Sequence, residues 1–579
     1  MALQEEQMLL LEQITYLDND FFGAIGINTP ERTEIFDWLQ HYRNGDLTAV
    51  DSKDGHILSL NDITDRINNL PNDPYDAKVD GRDWKNIIDA ITSDDDIMSL
   101  ELKEYSYEAK AFCFADKSDN SATFVFQGTG GDRWKDNFLG LYQTDTEAQI
   151  QAREFIEKTG SEFDSVDLVG HSKGGNLIQY ATITADYSKV NINRCISMDG
   201  QGFNKEFLDA YSDQIIQHGG QIKNYCYDGD YVNILLNKVP GAQQIYCSGS
   251  AVGIDNHFAN SMIDVINTGT EEDPCWNVIW RETKRNAGME YLHGFTCYLA
   301  NNMPLDERER MGGFIGDLVD HLMNSEDASD VKMQWLINQI KEKPGYASQI
   351  IAYFIKYVDD NNLSNEQVYQ LLKAFGLEKE TVGGKPIVFW IGIIRDFIIE
   401  HPNLSFFTAS AFQAWLKIHG IWNKDAEEIW KYIQLVYGNY KKIDNKDYVS
   451  GDYVPKDIAV SDIANKVYDA TASAISSVRG ISNKQIRVDP EILRSQSDEL
   501  FALYKQFEDL TSEIKVCIDK SDKACSRNMS MQMIGKINVI IADINKMNVL
   551  IDSGARAAYT AATSYESIDK ALAKQISNL

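Results

Sequence analysis

Cysteine is sparse in this chain, and neither its cysteines nor its histidines have the spacing of a metal site. The eight cysteines include no C-x-x-C pair and the nine histidines include no H-E-x-x-H pattern, the spacings that usually bring zinc ligands together. We therefore expect no bound metal and no metal-dependent hydrolase. Cys517 and Cys525 are close enough in sequence to bridge, but free thiols are the expectation.

A basic surface and long hydrophobic runs are also missing. The chain has 55 Lys and Arg against 87 Asp and Glu, a net charge of −32, and so acidic a surface repels nucleic-acid phosphates. No apolar run reaches the roughly 18 residues of a membrane-spanning helix, and Arg395 and Asp396 interrupt the most apolar stretch, residues 386–399. The opening residues are acidic where a secretory signal peptide is basic. We expect no nucleic-acid partner, no membrane span and no signal peptide, so export would need another route.

The length of 579 residues predicts two to four domains. Residues 1–300 are expected to form an α/β domain that begins with a helical segment, because strand-like and helix-like stretches alternate from about residue 111. Strand signals then disappear, and residues 301–445 are expected to be all-helical. A polar linker region, residues 446–484, and a helical hairpin, residues 485–579, follow.

Short apolar runs mark the strands of the α/β domain. Residues 111–115 and 122–126 are separated by turn-forming residues and predict a hairpin. The further strand candidates are residues 166–169, 194–198, 222–227 and 245–247. Because parallel strands need helical crossovers, the helical sequence between these candidates predicts a largely parallel sheet.

The last ~95 residues carry two helical apolar patterns. Asp489-Pro490 supplies an N-cap and a proline at the first helical position. Apolar residues then recur every three or four positions in two stretches joined by the polar residues 519–528, which predicts an antiparallel helical hairpin. Two helices bury too little surface to be stable alone, so the hairpin is expected to dock on another part of the chain or on a partner.

The most informative segment is residues 165–177, Ser-Val-Asp-Leu-Val-Gly-His-Ser-Lys-Gly-Gly-Asn-Leu. An apolar run leads into Gly170-His-Ser-Lys-Gly174 and a helix-compatible stretch follows, which is the G-x-S-x-G nucleophile elbow in its strand–turn–helix context. The two glycines let backbones pass where a Cβ would clash. Ser172 is therefore the predicted nucleophile, and His171 is expected to be structural, with its side chain directed away from the tip of the elbow.

A serine hydrolase also needs a base, an orienting acid and two oxyanion donors. The backbone N–H of Lys173, directly after the nucleophile, is the first predicted donor. Thr129 is the second, because it lies in a glycine-rich turn after the strand candidate 122–126.

The acid and the base follow the serine along the chain in this fold. Asp228 and Asp230 both follow a strand candidate, and we favour Asp230 because the apolar segment after it would anchor its loop. Asp199 is an earlier candidate. His257, in a polar loop after the last strand candidate, is the predicted base. Its rival, His293, lies on an apolar segment and is expected to be a packed core histidine.

These segments resemble a known group of enzymes. Phe-Gln-Gly-Thr at residues 126–129, the elbow, and the later Asp-x-Val and Asn-His-Phe segments are similar to those of Mbeg-like bacterial α/β-hydrolases, which are related to the class 3 lipases. Residues 11–17 resemble the N-terminus of that group, so the resemblance covers roughly residues 5–300. It implies a lipase-like α/β-hydrolase domain that needs no cofactor. Gln127 departs from the usual arginine; Lys173 replaces leucine, although lysine is normal for the Mbeg-like group.

The C-terminal hairpin resembles the WXG/LXG helical modules exported by type VII secretion systems of Gram-positive bacteria. Residues 486–493 resemble the start of such modules. Tyr565 and Asp569 match the Y-x-x-x-[DE] export signal and share one helix face, where a receptor can read both. The W-x-G turn is missing, since no tryptophan follows Trp430, a departure that LXG-like modules tolerate.

A hydrolase followed by such a module resembles type VII secreted lipase toxins with reversed domain order. This implies an antibacterial phospholipase that hydrolyses esters of membrane lipids, with small helical partner proteins on the hairpin, contact with the secretion machinery and an immunity protein in the producer. The alternatives are a cytosolic serine esterase or thioesterase with a helical oligomerisation tail, and a non-catalytic binding protein with a hydrolase fold. Export that depends on Tyr565 would distinguish the secreted toxin from the cytosolic esterase. Fluorophosphonate labelling of Ser172 would exclude the non-catalytic binding protein.

Overall fold

The computed structural model describes residues 3–72, 79–129, 136–248, 257–270, 274–280, 282–324, 335, 338–339, 342–374, 381–382, 385–400, 409–418, 426–443, 448–455 and 458. All of them belong to the first of the two units into which the chain divides, Met1–Ala464 and Asn465–Leu579. The predicted hairpin 485–579 lies outside the described residues, together with Cys517, Cys525, Tyr565 and Asp569.

The strands of the described residues are β1 (Thr48–Val50), β2 (Ile57–Ser59), β3 (Glu101–Ser106), β4 (Ala111–Asp116), β5 (Ser121–Phe126), β6 (Ser165–His171), β7 (Ile192–Met198), β8 (Ile222–Tyr227), β9 (Gln243–Cys247), β10 (Asp264–Asn267), β11 (Trp276–Ile279), β12 (Glu282–Thr283), β13 (Thr381–Val382) and β14 (Lys385–Pro386). In this described part of the chain, eight strands form one sheet in the order β12-β9-β8-β7-β6-β5-β4-β3. Strands β5 to β9 are parallel, whereas β3, β4 and β12 pair antiparallel at the two edges. The sheet expected to be largely parallel is thus a mixed sheet with a parallel centre.

The helices of the described residues are α1 (Glu5–Gln13), α2 (Asn19–Ala24), α3 (Ile35–Asn44), α4 (Leu60–Asn68), α5 (Trp84–Ser93), α6 (Asp95–Met98), α7 (Asp136–Leu139), α8 (Glu147–Gly160), α9 (Lys173–Thr184), α10 (Lys205–Ala210), α11 (Ser212–His218), α12 (Ala287–Asn302), α13 (Leu305–Asn324), α14 (Pro344–Asp360), α15 (Asn365–Ala374), α16 (Ile387–Glu400), α17 (Ala409–Ile418) and α18 (Ala426–Tyr440). None of the described helices is both long and apolar enough to cross a membrane.

Helices cover both faces of the central sheet. Phe112 and Phe114 of β4 pack among the N-terminal helices, while their neighbours Ala111 and Cys113 pack on the other face with α8 and α9. Because successive residues of a strand point to opposite faces, a strand that is buried on both faces reads as an unbroken apolar run. This is why the runs at 111–115 and 122–126 correctly predicted β4 and β5.

The described residues between 287 and 440 form the helices α12 to α18, the turns beside them and the two-residue strands β13 and β14, which confirms a helical region in this part of the chain. The predicted boundary at residues 300 and 301 falls inside α12. Ile234, from a loop after β8, is buried in the same apolar cluster as Met289 and Leu292 of α12. The helical region and the α/β region therefore share part of their core.

Residues 448–455 run back from the helical region to the α/β region, and we call them the return segment. Its Val449 N–H donates to Asn302 Oδ1 over 2.8 Å. The Tyr453 N–H donates to Asn237 Oδ1 over 2.8 Å and its hydroxyl donates to Asp209 over 2.6 Å. Part of the range predicted as a linker is therefore packed structure.

Asp452 is the anchor of the return segment. Its Oδ1 accepts the Lys238 N–H over 2.8 Å. Its Oδ2 lies 3.1 Å from His293 Nε2 and 3.4 Å from Lys238 Nζ. Burial alone would raise the pKa of Asp452, but the hydrogen bond and charge of His293, followed by the Lys238 contacts, outweigh burial and hold this pKa well below its usual range.

We predict that Asp452→Asn lowers the free energy of unfolding at pH 7 by about 1–2 kcal/mol, because the charge-assisted bonds of the anchor are lost. A carboxyl whose pKa is depressed in the folded state stabilises it above its unfolded pKa of about 3.9 and loses that contribution as pH falls further. Urea unfolding at several pH values should therefore show wild type and variant converging below about pH 4. A difference that persists unchanged at acid pH would contradict this account.

Candidate active site

Ser172 sits between the end of β6 and the start of α9, on a strained turn. Its φ of 57° and ψ of −121° lie in a region that residues with a side chain rarely adopt. The turn is fixed from both sides, since the Ser172 N–H donates to Met198 O over 2.7 Å and its C=O accepts the Asn176 N–H over 3.1 Å. The predicted strand, elbow and helix are confirmed.

The two glycines of the motif are required by close backbone contacts. A Cβ on Gly174 would lie 2.2 Å from Phe126 O, and a Cβ on Gly170 would lie 2.8 Å from the carbonyl carbon of Gly174. Both distances are impossible for a real Cβ, and both involve backbone atoms that cannot swing aside. The first turn of α9 therefore packs directly on the end of β5, as the spacing of the motif predicted.

Ser172, His257 and Asp230 form a continuous hydrogen-bonded chain. His257 Nε2 lies 2.8 Å from Ser172 Oγ, and His257 Nδ1 lies 2.7 Å from Asp230 Oδ2. The Asp230 side chain is fully buried, and its Oδ1 accepts the N–H groups of Val232 and Asn233 over 2.7 and 2.9 Å. The structure thus brings the three predicted residues together, in the order that a nucleophile, a base and an orienting acid require.

The rival residues have other partners. His293, in α12, is buried, with Nδ1 2.8 Å from Ile234 O and Nε2 against Asp452. It is the packed histidine that the sequence favoured. The backbone of Asp228 makes two hydrogen bonds. Its N–H donates to Cys247 O over 2.9 Å, and its C=O accepts the Asn286 N–H over 3.4 Å.

Asp199, the earlier acid candidate, is a second buried carboxyl close to this chain. Its Oδ1 accepts the Tyr227 N–H over 2.8 Å and the Asn233 side-chain amide over 2.7 Å. Burial, and then the negative charge of Asp230, raise the pKa of Asp199 well above its usual value. Asn233, which donates its side-chain amide to Asp199 and its backbone N–H to Asp230, connects the two carboxyls.

His171 lies beside the base and does not point away from the site as expected. The ring centroids of His171 and His257 are 4.9 Å apart, and His171 Nδ1 hydrogen-bonds the hydroxyl of Tyr16. Burial, and then the proximity of His257, lower the pKa of His171 well below its usual value. His171 is therefore a neutral ring that packs against the base.

His171, Asp199 and His257 could in principle hold a metal ion, since one ligating atom of each lies within 4.8 Å of the others. Both ring nitrogens of His257 are, however, already engaged by Ser172 and Asp230. A metal bound there would have to break the hydrogen-bonded chain. The arrangement suits proton transfer better than metal binding.

Of the predicted oxyanion donors, Lys173 directly follows Ser172 in the chain, and Thr129 directly follows a glycine that packs against Ser172. Lys173 is the first residue of α9, and the first N–H groups of a helix have no partner within the helix itself. Thr129 follows Gly128, where a Cβ would lie 2.9 Å from Ser172 Cβ, and its Oγ1 accepts the Asn137 side-chain amide over 2.9 Å. The two glycines after Thr129 lie outside the described residues.

Three N-terminal residues reach this loop and were missed in the sequence. The Tyr16 hydroxyl accepts the Gly128 N–H over 3.1 Å. The side-chain amide of Gln127 donates to Asp18 over 2.8 Å, and Arg32 approaches Gln127 Oε1 to 3.5 Å. Their separation from the elbow in sequence conceals them. The one available signal was the resemblance of residues 11–17 to the N-terminus of Mbeg-like enzymes.

A family model described as Mbeg1-like, a lipase-like family, matches residues 91–267. This stretch is less than a third of the chain, but it includes Thr129, Ser172, Asp230 and His257. No curated protein matches the sequence. The match and the α/β sheet together indicate a lipase-like hydrolase.

We predict that Gly174→Ala lowers the free energy of unfolding by about 1–3 kcal/mol or more, because the new Cβ forces the first turn of α9 away from the backbone at the end of β5. Gly220→Ala is the matched control, since a Cβ there meets nothing within 4 Å. Equal unfolding midpoints of the two variants in urea would show that the close contact at the elbow is not a constraint.

Proposed function

We propose that this protein is a serine lipase or phospholipase that hydrolyses carboxylic esters of membrane lipids. The observation that carries the proposal is the hydrogen-bonded chain from Ser172 through His257 to Asp230 at the end of the central sheet. The match of residues 91–267 to a lipase-like family supports lipid esters as the substrate class.

In the proposed mechanism, His257 Nε2 takes the proton of Ser172 Oγ as that oxygen attacks the ester carbonyl. The backbone N–H groups of Lys173 and Thr129 receive the negative charge that develops on the carbonyl oxygen. Asp230 holds the proton on Nδ1 and stabilises the imidazolium. His257 then protonates the departing alcohol, which leaves an acyl group on Ser172. Water gives a proton to His257 as it attacks this acyl group, and His257 returns the proton to Ser172 Oγ as the acid departs.

We predict that Ser172→Ala and His257→Ala each lower kcat for p-nitrophenyl butyrate hydrolysis by on the order of 10⁶, and that the double variant is no worse, because the two act as one unit. Asp230→Asn should cost about 10⁴ by favouring the wrong imidazole tautomer. Asp228→Asn is the matched control and should keep its activity.

Two outcomes would overturn parts of this assignment. Substantial hydrolysis by Ser172→Ala would overturn the mechanism, whereas failure of a fluorophosphonate probe to label Ser172 in the wild type would favour a non-catalytic binding protein. A severe loss in Asp228→Asn with an active Asp230→Asn would overturn the choice of acid alone.

We also propose that residues 485–579 direct signal-peptide-independent export through a type VII system, so that the hydrolase acts as an antibacterial toxin. The support is the pairing of Tyr565 and Asp569 within a stretch of two helical apolar patterns. On this proposal small helical proteins cover the hairpin, and an immunity protein protects the producing cell. The competing function is a cytosolic esterase or thioesterase that uses the same residues for self-association.

We predict that Tyr565→Ala reduces secretion and leaves ester hydrolysis in cell lysates unchanged, because residues 485–579 contain none of the three proposed catalytic residues. Tyr559→Ala, a tyrosine six residues earlier, is the matched control and should be secreted. Immunoblots of culture supernatants and lysates make the comparison. Normal secretion of Tyr565→Ala, or of a chain ending at residue 464, would favour the cytosolic enzyme.

A further inference from the structure

The N-terminal segment contributes the side chain of Tyr16 to the buried surroundings of the candidate active site. Tyr16 ends the single 3-10 turn, Ile14–Tyr16, that follows α1. Its hydroxyl accepts the Gly128 N–H over 3.1 Å and hydrogen-bonds His171 Nδ1. One oxygen atom therefore touches both the loop that carries Thr129 and the ring that packs against His257.

Gly128 needs such an anchor. It has no side chain of its own, and its backbone lies between Tyr16 and Ser172, since a Cβ there would lie 2.7 Å from the Tyr16 hydroxyl and 2.9 Å from Ser172 Cβ. Glycine backbone is the least restrained in a protein. The hydrogen bond from the Gly128 N–H fixes the Gln127–Gly128 peptide, which directly precedes the peptide that carries the Thr129 N–H, while Asn137 fixes the Thr129 side chain.

The same hydroxyl fixes His171. Burial, and then the charge of Glu12, raise the pKa of Tyr16 well above its usual value, so that the hydroxyl keeps its proton. The oxygen accepts the Gly128 N–H and also hydrogen-bonds His171 Nδ1. The second bond holds the His171 ring with its centroid 4.9 Å from that of His257.

The chain on both sides of Tyr16 is tethered. Arg32 donates to Thr15 O over 2.8 Å and to Leu17 O over 2.9 Å. Asp18 accepts the side-chain amide of Gln127, the residue before Gly128, over 2.8 Å. These bonds place the hydroxyl without help from the reacting groups.

We propose that Tyr16 is a positioning residue for ester hydrolysis, through the bonds of its hydroxyl to Gly128 and His171. The proposal rests on the hydrolase function proposed above. It assigns a role to a residue that lies outside the stretch matched by the family model. Tyr16 touches neither the ester nor the proton in transfer. It positions the oxyanion loop through Gly128 and the base His257 through the ring of His171.

Tyr16→Phe tests this role because it removes one oxygen and keeps the ring. The matched control is Tyr42→Phe, which removes a hydroxyl that donates to Asp89 over 3.0 Å on helices away from the elbow. The full chain of each variant is assayed with p-nitrophenyl butyrate, inhibited with an alkyl trifluoromethyl ketone that forms a tetrahedral adduct with the serine, and melted to compare stability.

We expect Tyr16→Phe to lower kcat by about 10- to 100-fold with KM changed less than twofold, since the loss falls on the tetrahedral state. The inhibition constant of the ketone should rise by the same factor as kcat/KM falls. Tyr42→Phe should lower the melting temperature to a similar extent and leave kcat, KM and the inhibition constant unchanged.

An unchanged kcat in a folded Tyr16→Phe variant would overturn the positioning role while leaving the hydrolase function standing. A fall in kcat with unchanged ketone binding would also overturn it, because the oxyanion loop would then be intact. Absence of Ser172-dependent hydrolysis in the wild type would overturn the proposed function itself, and this inference with it.

Discussion

The contact between the first turn of α9 and the end of β5 is the constraint on which the site depends. No side chain fits between Gly174 and the Phe126 carbonyl, so a helix and a strand meet at backbone distance. This contact forces the chain at Ser172 into its strained conformation and carries it directly beside Gly128. The strain is tolerable because the surrounding sheet is buried on both faces and held by its parallel centre.

The parts of the fold and of the site that are local in sequence were predictable. The G-x-S-x-G motif identifies Ser172 within five residues. The order of acid and base after the serine along the chain was enough to propose Asp230 and His257, which the structure joins to Ser172 in one hydrogen-bonded chain. Tyr16 and Asn233 were not predictable, because their roles arise from contacts between distant segments. The expected orientation of the His171 side chain was wrong for the same reason. Its ring turns toward Tyr16, which is 155 residues away in the sequence.

The helical region also bears on the site, through the loop that carries Asp230. Ile234 is buried among the helices, and its carbonyl accepts hydrogen bonds from His293 and from the Thr296 hydroxyl, the latter over 2.5 Å. The Tyr231 hydroxyl donates to Ala374 O over 2.7 Å. The position of the acid is therefore set from two directions, by the sheet on one side and by helices beyond the Mbeg1-like match on the other.

The return segment attaches the helical region to the α/β region a second time, in addition to the direct connection of the chain into α12. Chain enters it from the α/β region at α12 and comes back at Asp452, where the carboxylate engages His293 and Lys238. A pulling force applied to the chain beyond residue 464 would reach these bonds before it reached any strand of the central sheet. The return segment would detach first, the helices would take the load next, and the strands around Ser172 would be the last to bear it.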